Sequence, residues 1–158
     1  MTPTTVRRAT PADAGTVQQL LLELADHEGE GQHVHVDVAR WRELLADPQV
    51  VVLLAEQGDE AVGYVSAVRQ VNLWLGRDLL ALDDLYVREC ARGRGVGEQV
   101  MRALAAYAAA DSLLIRWGLR SDNDGARRFY ERLGATMRTK TIAAWRPHDY
   151  AALLSSST

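Results

Sequence analysis

The sequence predicts an α/β fold of the α+β type, in which a single mixed, mostly antiparallel sheet is flanked by helices. The first observation is a set of segments with the composition of strands, two of which are joined by a short turn. The second is a set of segments whose apolar residues recur at helical spacing. The third is their order, β-α-α-β-β-β-α-β-α-β-β, which lacks the strict alternation of a doubly wound protein.

The first third of the chain is predicted to hold one strand, at 5–8, and two helices. Thr10 has the position of an N-cap, Pro11 stands in the first turn, and Asp13 suits the positive end of the helix dipole. We expect this helix to end in the polar stretch 26–31. A second helix is expected at 37–45, before a proline. The buried face of the first helix is defined by Val17, Leu20, Leu21 and Leu24.

A β-hairpin and a third strand are predicted next. The hairpin strands lie at 50–56 and 61–68 around a turn at 57–59, and the third strand covers 79–87. The remaining elements are a helix at 96–110, a strand at 113–119, a helix at 124–133 closed by Gly134, and a final pair of strands at 135–137 and 141–145.

The composition is that of one ordinary globular domain, with 47% hydrophobic and 25% charged residues in 158. We expect a single domain over 1–158, ordered from about residue 5 to 150, with a frayed tail at 155–158. The net charge of −3 gives no reason to expect nucleic acid as a partner, and no segment has the apolar length of a membrane span. With no apolar leader and a single cysteine, Cys90, the chain reads as cytoplasmic and without an internal disulfide.

A glycine-rich turn lies between the third strand and the helix that follows it, Arg92-Gly93-Arg94-Gly95-Val96-Gly97. The first N–H groups of a helix have no intrahelical partner, and the helix dipole favours negative charge there. Glycines let the backbone approach an anion closely. The spacing fits neither a Walker loop nor the dinucleotide fingerprint. Taken alone, the turn predicts either a phosphate site or an ordinary tight turn.

The glycine turn contains the pattern Arg92-x-x-Gly95-x-Gly97, and a second pattern follows it, Asn123-x-x-Ala126-x-x-Phe129-Tyr130-Glu131-x-x-Gly134. At this separation, the first matches the glycine motif of the GNAT family of N-acetyltransferases and the second is similar to that family's second signature. Thr10-Pro11-x-Asp13 resembles its usual first strand–helix junction. The resemblance spans essentially the whole chain and implies the GNAT fold, acetyl-coenzyme A as donor and a single N-acetyltransferase domain.

The resemblance also implies roles for individual residues. The strand end at 85–87 would pair with the pantetheine arm, Asn123 and Ala126 would contact the cofactor, and Tyr130 would give a proton to the departing thiolate and contact the cofactor. The residues implied as cofactor-binding are Leu85, Tyr86, Val87, Arg92, Gly93, Arg94, Gly95, Val96, Gly97, Glu98, Asn123, Ala126 and Tyr130.

Within the family, the chain is similar to diamine (spermidine/spermine-type) and thialysine acetyltransferases. The similarity lies in the segments 23–28, 74–77, 82–87 and 132–135. Asn72 and Asp83 depart from the polyamine enzymes, which have aspartate and glutamate there. The resemblance therefore implies a small-molecule amine substrate of the diamine or lysine-analogue class, and a homodimer. Exposed strands at the C-terminal end agree with the homodimer.

Asp83 and Asp84 are the candidates for removing the ammonium proton, whose ordinary pKa is about 10.4. As neighbours in a strand they are expected to point to opposite faces, so one faces the cleft. The alternative is that they pair with arginines. We expect direct attack of the amine, with a backbone N–H at 85–87 polarising the carbonyl.

The loop at 27–35 contains three histidines without zinc spacing, and we expect no metal. Glu28 is expected to bind a cationic substrate or to be a solvated loop charge. Trp74, Tyr64 and Trp145 would pack either against a ligand or in the core. The substrate-binding candidates are Glu28, Trp74, Asp83 and Asp84. An aminoglycoside or protein amine as acceptor, or a catalytically silent acyl-coenzyme A sensor, remains an alternative function.

Overall fold

The computed structural model describes residues 2–156, so two residues of the predicted tail, Ser157 and Thr158, lie outside the described residues. The chain forms two compact units that divide between Gly118 and Leu119. The first unit contains β1 Thr4–Arg8, α1 Ala14–Glu28, α2 Val38–Ala46, β2 Val50–Gln57, β3 Glu60–Asn72, β4 Arg77–Val87, α3 Val96–Ala109 and β5 Ile115–Arg116. The second unit contains α4 Asp124–Arg132 and α5 Pro147–Ser155.

The five strands form one sheet in the order β1-β2-β3-β4-β5. The first three pairings are antiparallel and the last, between β4 and β5, is parallel. The predicted fold class, a single mixed and mostly antiparallel sheet flanked by helices, is therefore confirmed. The long β3–β4 pairing, from Gly63 with Val87 to Asn72 with Arg77, carries the site described below.

Helices α1 and α2 cover one face of the sheet. Their apolar side chains form a buried cluster with Val52 and Leu54 of β2 and Tyr64 of β3. Burying each large apolar side chain contributes roughly 1.5–3 kcal/mol, so this cluster is a main source of stability. The helix members of the cluster are Ala14, Val17, Leu20, Trp41 and Leu45.

Helix α3 packs against β2, β3 and β4 from the other face. Side chains alternate along a strand, so the neighbours of Val52, Leu54 and Tyr64 point to the face opposite the α1–α2 cluster. These neighbours, Val51, Leu53 and Val65, are buried as well, so this second face must also be covered. Val96, Val100 and Leu104 supply the buried stripe of α3 at the predicted helical spacing.

The start of α1 follows the predicted capping. Pro11–Asp13 form a 3-10 turn, and the Thr10 N–H donates to Oδ2 of Asp13 at 2.8 Å. Arg7 makes two hydrogen bonds to the same carboxylate and holds the pKa of Asp13 low, at about 2. Gly29, with φ of 71°, ends α1 as a left-handed C-cap.

The final pair of strands predicted at 135–137 and 141–145 is wrong. Residues 135–146 contain no strand, and a helix that the sequence did not predict, α5, follows them. The β-branched residues of this segment favoured strands, but a strand forms only where it has a hydrogen-bonded neighbour, and composition alone does not provide one. The preceding strand is also shorter than the predicted 113–119, because β5 holds only Ile115 and Arg116.

Candidate active site

A β-bulge at Asp83 shapes the acidic part of the site. Along β4, Leu82 pairs with Ala67 and Asp84 pairs with Ser66, so Asp83 is an extra residue without a partner of its own. A bulge places two residues opposite one and interrupts the alternation of side chains. The simple alternation expected for Asp83 and Asp84 is therefore interrupted, and the register places Asp84 on the α1–α2 face, the same face as Tyr64.

Asp84 lies beside the core residue Tyr64. The Tyr64 hydroxyl donates a hydrogen bond to Oδ2 of Asp84 at 3.2 Å. Burial raises the pKa of Asp84, the negative charges of Asp83 and Glu28 raise it further, and the Tyr64 hydrogen bond lowers it. Partial desolvation also raises the pKa of Asp83. A carboxylate with a raised pKa is a better proton acceptor near neutral pH.

Glu28, in the last turn of α1, acts electrostatically on Asp84. Its negative charge raises the pKa values of both Asp84 and Tyr64. The structure thus brings together three of the four predicted substrate-binding residues, Glu28, Asp83 and Asp84. The negative charges of Glu28 and Asp83 both disfavour the ionised form of Asp84, so a bound cation would relieve the repulsion among the three carboxylates.

Trp74 does not join them. It lies at the tip of the β3–β4 hairpin and is 99% exposed, and its backbone N–H donates to Oδ1 of Asn72. Asp83 lies six positions along β4 from Arg77, which corresponds to roughly 20 Å of extended strand. Of the other two aromatic candidates, Tyr64 is buried in the core and Trp145 is exposed.

The end of β4 is anchored to α1 by an ion-paired network. Arg88 donates to both carboxylate oxygens of Glu23, at 2.9 and 2.8 Å, and the Tyr86 hydroxyl donates to Oε2 of Glu23 at 3.4 Å. The Arg88 guanidinium lowers the pKa of Glu23, so the carboxylate stays charged. Arg88 was not predicted from the sequence. The available signal was its position, as a cation directly after the last residue of β4.

The other edge of β4 is open over the same stretch. Among the described residues β5 pairs with β4 only at Leu80 and Ala81, so 82–87 have a strand partner on the β3 side alone. The predicted cofactor-binding residues Leu85, Tyr86 and Val87 lie there and are half-buried. Within the described part of the chain this edge lacks a strand partner and suits an extended amide-containing chain, although the Val87 carbonyl already accepts a hydrogen bond from Arg92.

The glycine turn adopts the conformation that its composition predicts. Gly93 and Gly95 have φ values of 74° and 79°, in the left-handed region that side-chain-bearing residues avoid. Arg92 folds back on β4: its Nε donates to the Val87 carbonyl at 2.8 Å, and its guanidinium lies over the Tyr86 ring. The side chain of Glu98 pairs with Arg102 instead of pointing into the turn.

The N-terminus of α3 presents free backbone donors beyond this turn. The first hydrogen bond of the helix runs from the Gln99 N–H to the carbonyl of Gly95, the N-cap residue. Over residues 2–156, the helix start has no side-chain cap. The N–H groups of Val96, Gly97 and Glu98 therefore have no intrahelical acceptor and point out of the helix end. Together with the helix dipole they can hold a phosphate group.

The remaining predicted residues lie on α4 in the second unit. Asn123 is the N-cap of this helix, where its Oδ1 accepts from the Ala126 N–H at 3.0 Å. Tyr130 is 8% exposed and contacts Phe129 edge to face, and burial raises the pKa of its hydroxyl. Tyr130 therefore remains protonated at neutral pH and can act as a proton donor.

Among the described residues, no helix has the length and apolar character that a bilayer crossing requires.

Comparison with known proteins agrees with this geometry. The model of a family described as "Acetyltransferase (GNAT) family" matches residues 18–135. A thialysine N-epsilon-acetyltransferase of Bos taurus is 29% identical over 144 residues, 82% of each chain. An uncharacterized N-acetyltransferase of Mycobacterium tuberculosis is 30% identical over 129 residues, which cover 79% of this chain and 80% of the relative.

Among solved structures, an aminoglycoside acetyltransferase from an uncultured soil metagenomic sample superposes with a TM-score of 0.79 at 19% identity. The superposition covers 91% of this chain and 99% of the other. At that identity the likeness shows the fold.

Proposed function

Because the chain belongs to the GNAT family of acetyltransferases, we propose that this enzyme moves an acetyl group from acetyl-coenzyme A to a primary amine of a small, multiply charged cation. Diamines, polyamines and lysine analogues have this chemistry. The observation that carries the proposal is a group of three carboxylates: Asp83 and Asp84 on β4, which leads into the glycine turn, and Glu28 in the last turn of α1. The thialysine acetyltransferase similar to this chain supports the same substrate class.

The chain's own residues fit the donor acetyl-coenzyme A. The free N–H groups at the start of α3 would hold the pyrophosphate, and the open edge of β4 at 85–87 would pair with the pantetheine amides. A backbone N–H at this edge would also stabilise the negative charge that develops on the thioester oxygen. Asn123 and Ala126, at the start of α4, are proposed as cofactor contacts because they match the second signature of the family.

Acetyl transfer requires two proton movements. The substrate ammonium must lose a proton before its nitrogen can form the C–N bond, and we assign this proton to Asp84, directly or through water. The C–S bond then breaks, and Tyr130 gives its hydroxyl proton to the leaving thiolate. No covalent enzyme intermediate is needed, so both substrates bind before chemistry.

An aminoglycoside is the second candidate acceptor. It also carries several ammonium groups, and the structural similarity to an aminoglycoside acetyltransferase points to it. A short flexible amine differs from an aminoglycoside in size rather than in charge, so the acidic cluster alone attracts both.

The test is thiol release from acetyl-coenzyme A by the purified protein with spermidine, thialysine, a lysine peptide and an aminoglycoside. We expect the highest kcat/KM with spermidine or thialysine. A preference for the aminoglycoside or the peptide would replace the proposed acceptor. Tight coenzyme A binding without thiol release with any amine would instead indicate a silent acyl-coenzyme A sensor.

We also propose a homodimer, as the family resemblance implies, although the described residues after 134 contain no strand that could support it. In the second unit Ile142, Trp145, Leu153 and Leu154 are exposed apolar side chains, and such side chains are typical of association surfaces.

A further inference from the structure

Tyr64 has a polar end at the acidic site and an apolar body in the core. Its ring belongs to the cluster formed with Val17, Leu20 and Trp41, and the residue is 1% exposed. The ring therefore has one orientation, because close packing excludes other rotamers. A hydroxyl on such a ring is fixed in space by the core.

The partner of that hydroxyl is a residue on an irregular stretch of strand. Asp84 directly follows the bulge at Asp83, where the ladder with β3 is interrupted. Its Oδ2 accepts from the Tyr64 hydroxyl at 3.2 Å. Strand pairing alone does not fix the orientation of the Asp84 carboxylate, whereas the hydrogen bond from the buried Tyr64 hydroxyl does.

We propose that Tyr64 is a positioning residue, whose hydroxyl holds Oδ2 of Asp84 so that Oδ1 is directed to the substrate ammonium. The inference rests on the proposed function, in which Asp84 takes the amine proton. Tyr64 touches neither substrate nor cofactor and acts only through Asp84.

The hydrogen bond also sets when Asp84 is ionised. The titratable groups that act on this carboxylate are Tyr64 from β3, Asp83 from β4 and Glu28 from α1. Two of them are negative and favour the protonated acid, while the hydroxyl donor favours the carboxylate. Removing the donor therefore raises the pKa of Asp84 and leaves less base at neutral pH.

The variant Tyr64→Phe tests this, because it deletes one oxygen and keeps the ring that the core needs. We expect the acidic limb of the kcat/KM profile to move upward by about one pH unit, the usual scale for losing a hydrogen bond to a charged group. The matched control is Tyr107→Phe, a hydroxyl deletion on α3 in which the ring stays beneath Arg8. The control should leave the profile in place.

A second measurement does not depend on turnover. The carboxyl carbon of Asp84 is followed by NMR titration in protein with ¹³C-labelled aspartate, and its signal is assigned by its loss in Asp84→Asn. We expect this carbon to titrate at higher pH in Tyr64→Phe than in the wild type and in Tyr107→Phe. An unchanged titration overturns the positioning role even if no substrate is ever found.

A double-mutant cycle separates positioning from packing. In an Asp84→Asn background, the further change Tyr64→Phe should not lower kcat/KM again. Additive losses would show that Tyr64 acts independently of Asp84 and would overturn the inference. Wild-type protein that turns over no amine would reject the proposed function, and the NMR titration would still decide the inference.

Discussion

Single residues determine the chemistry of the acidic site. One extra residue in β4, Asp83, changes which face the next side chain occupies. Without the bulge, Asp84 would share the face of Leu82 and point toward α3 instead of Tyr64. The sequence predicted both aspartates as functional, but a bulge depends on pairing with a distant strand and leaves no local signal in composition.

Asp84 should be a residue that lowers stability and supports activity. Its pKa is raised in the folded chain, so its ionised form is disfavoured there relative to the unfolded chain. The folded state therefore loses stability as the pH rises from the ordinary aspartate value through the raised one. We expect Asp84→Asn to raise the Tm at pH 7 and to lower kcat/KM by about 10²-fold.

The matched control is Asp78→Asn, a change on the same strand that breaks the ion pair with Arg69. It should lower the Tm slightly and leave kcat/KM unchanged. Thermal melts at pH 5 and pH 7, combined with steady-state kinetics, provide the measurement. Loss of stability at both pH values in Asp84→Asn, with full activity, would remove Asp84 from the mechanism.

Tyr130 is expected to promote release of coenzyme A by protonating its thiolate. Tyr130→Phe keeps the ring and its contact with Phe129 and removes the proton donor. We expect kcat to fall by about 10²-fold and the alkaline limb of the profile to change, since the raised pKa of the hydroxyl governs that limb. Tyr150→Phe on α5 is the control, and unchanged turnover and pH profile in Tyr130→Phe would reject the role.

At the scale of elements, amphipathic helices and strand pairs were predictable from local pattern. Thr10 with Asp13 marked the start of α1, and Asp37 marked the start of α2, where it accepts from the Arg40 N–H at 2.8 Å. The C-terminal elements were predicted wrongly. Pro147, followed by Ala151 to Leu154, was an available helix signal, but the β-branched residues before it favoured strands.

The turn before α3 should depend on the conformation of its glycines. Gly95→Ala places a side chain at φ 79° and is expected to cost about 1–2 kcal/mol of stability and to weaken coenzyme A binding. Gly15→Ala is the control, because this residue lies in α1 with open space around the added carbon. It should leave coenzyme A binding unchanged and not lower stability.

Urea unfolding and calorimetric titration with coenzyme A measure both effects. Equal coenzyme A affinity in wild type and Gly95→Ala would show that the turn does not hold the pyrophosphate.

At the scale of the whole molecule, the family and the fold class followed from two motifs and the order of elements, and both are confirmed. The acceptor could not be read in the same way. Its proposed site combines α1, β3 and β4, so it depends on how distant segments pack. Tyr64 and Arg88 became recognisable only through their contacts with Asp84 and Glu23.

The proposed homodimer is a prediction about the second unit. Light scattering should give twice the mass of the 158-residue chain, and Trp145→Ser with Leu153→Ser should shift the equilibrium to monomer by exposing less apolar surface. The same double change should leave the far-UV spectrum nearly unchanged, since both side chains are exposed. A monomer at every concentration in the wild type would contradict the dimer.

The most direct test compares acetyl transfer to a dication and to a monocation of similar length. A short diamine and the corresponding monoamine are assayed by thiol release, in wild type and in Glu28→Gln. We expect the diamine to have a kcat/KM at least tenfold higher in wild type, and this preference to shrink in Glu28→Gln and at high salt. Equal kcat/KM for the two amines in wild type would contradict an acidic site built for a multiply charged amine.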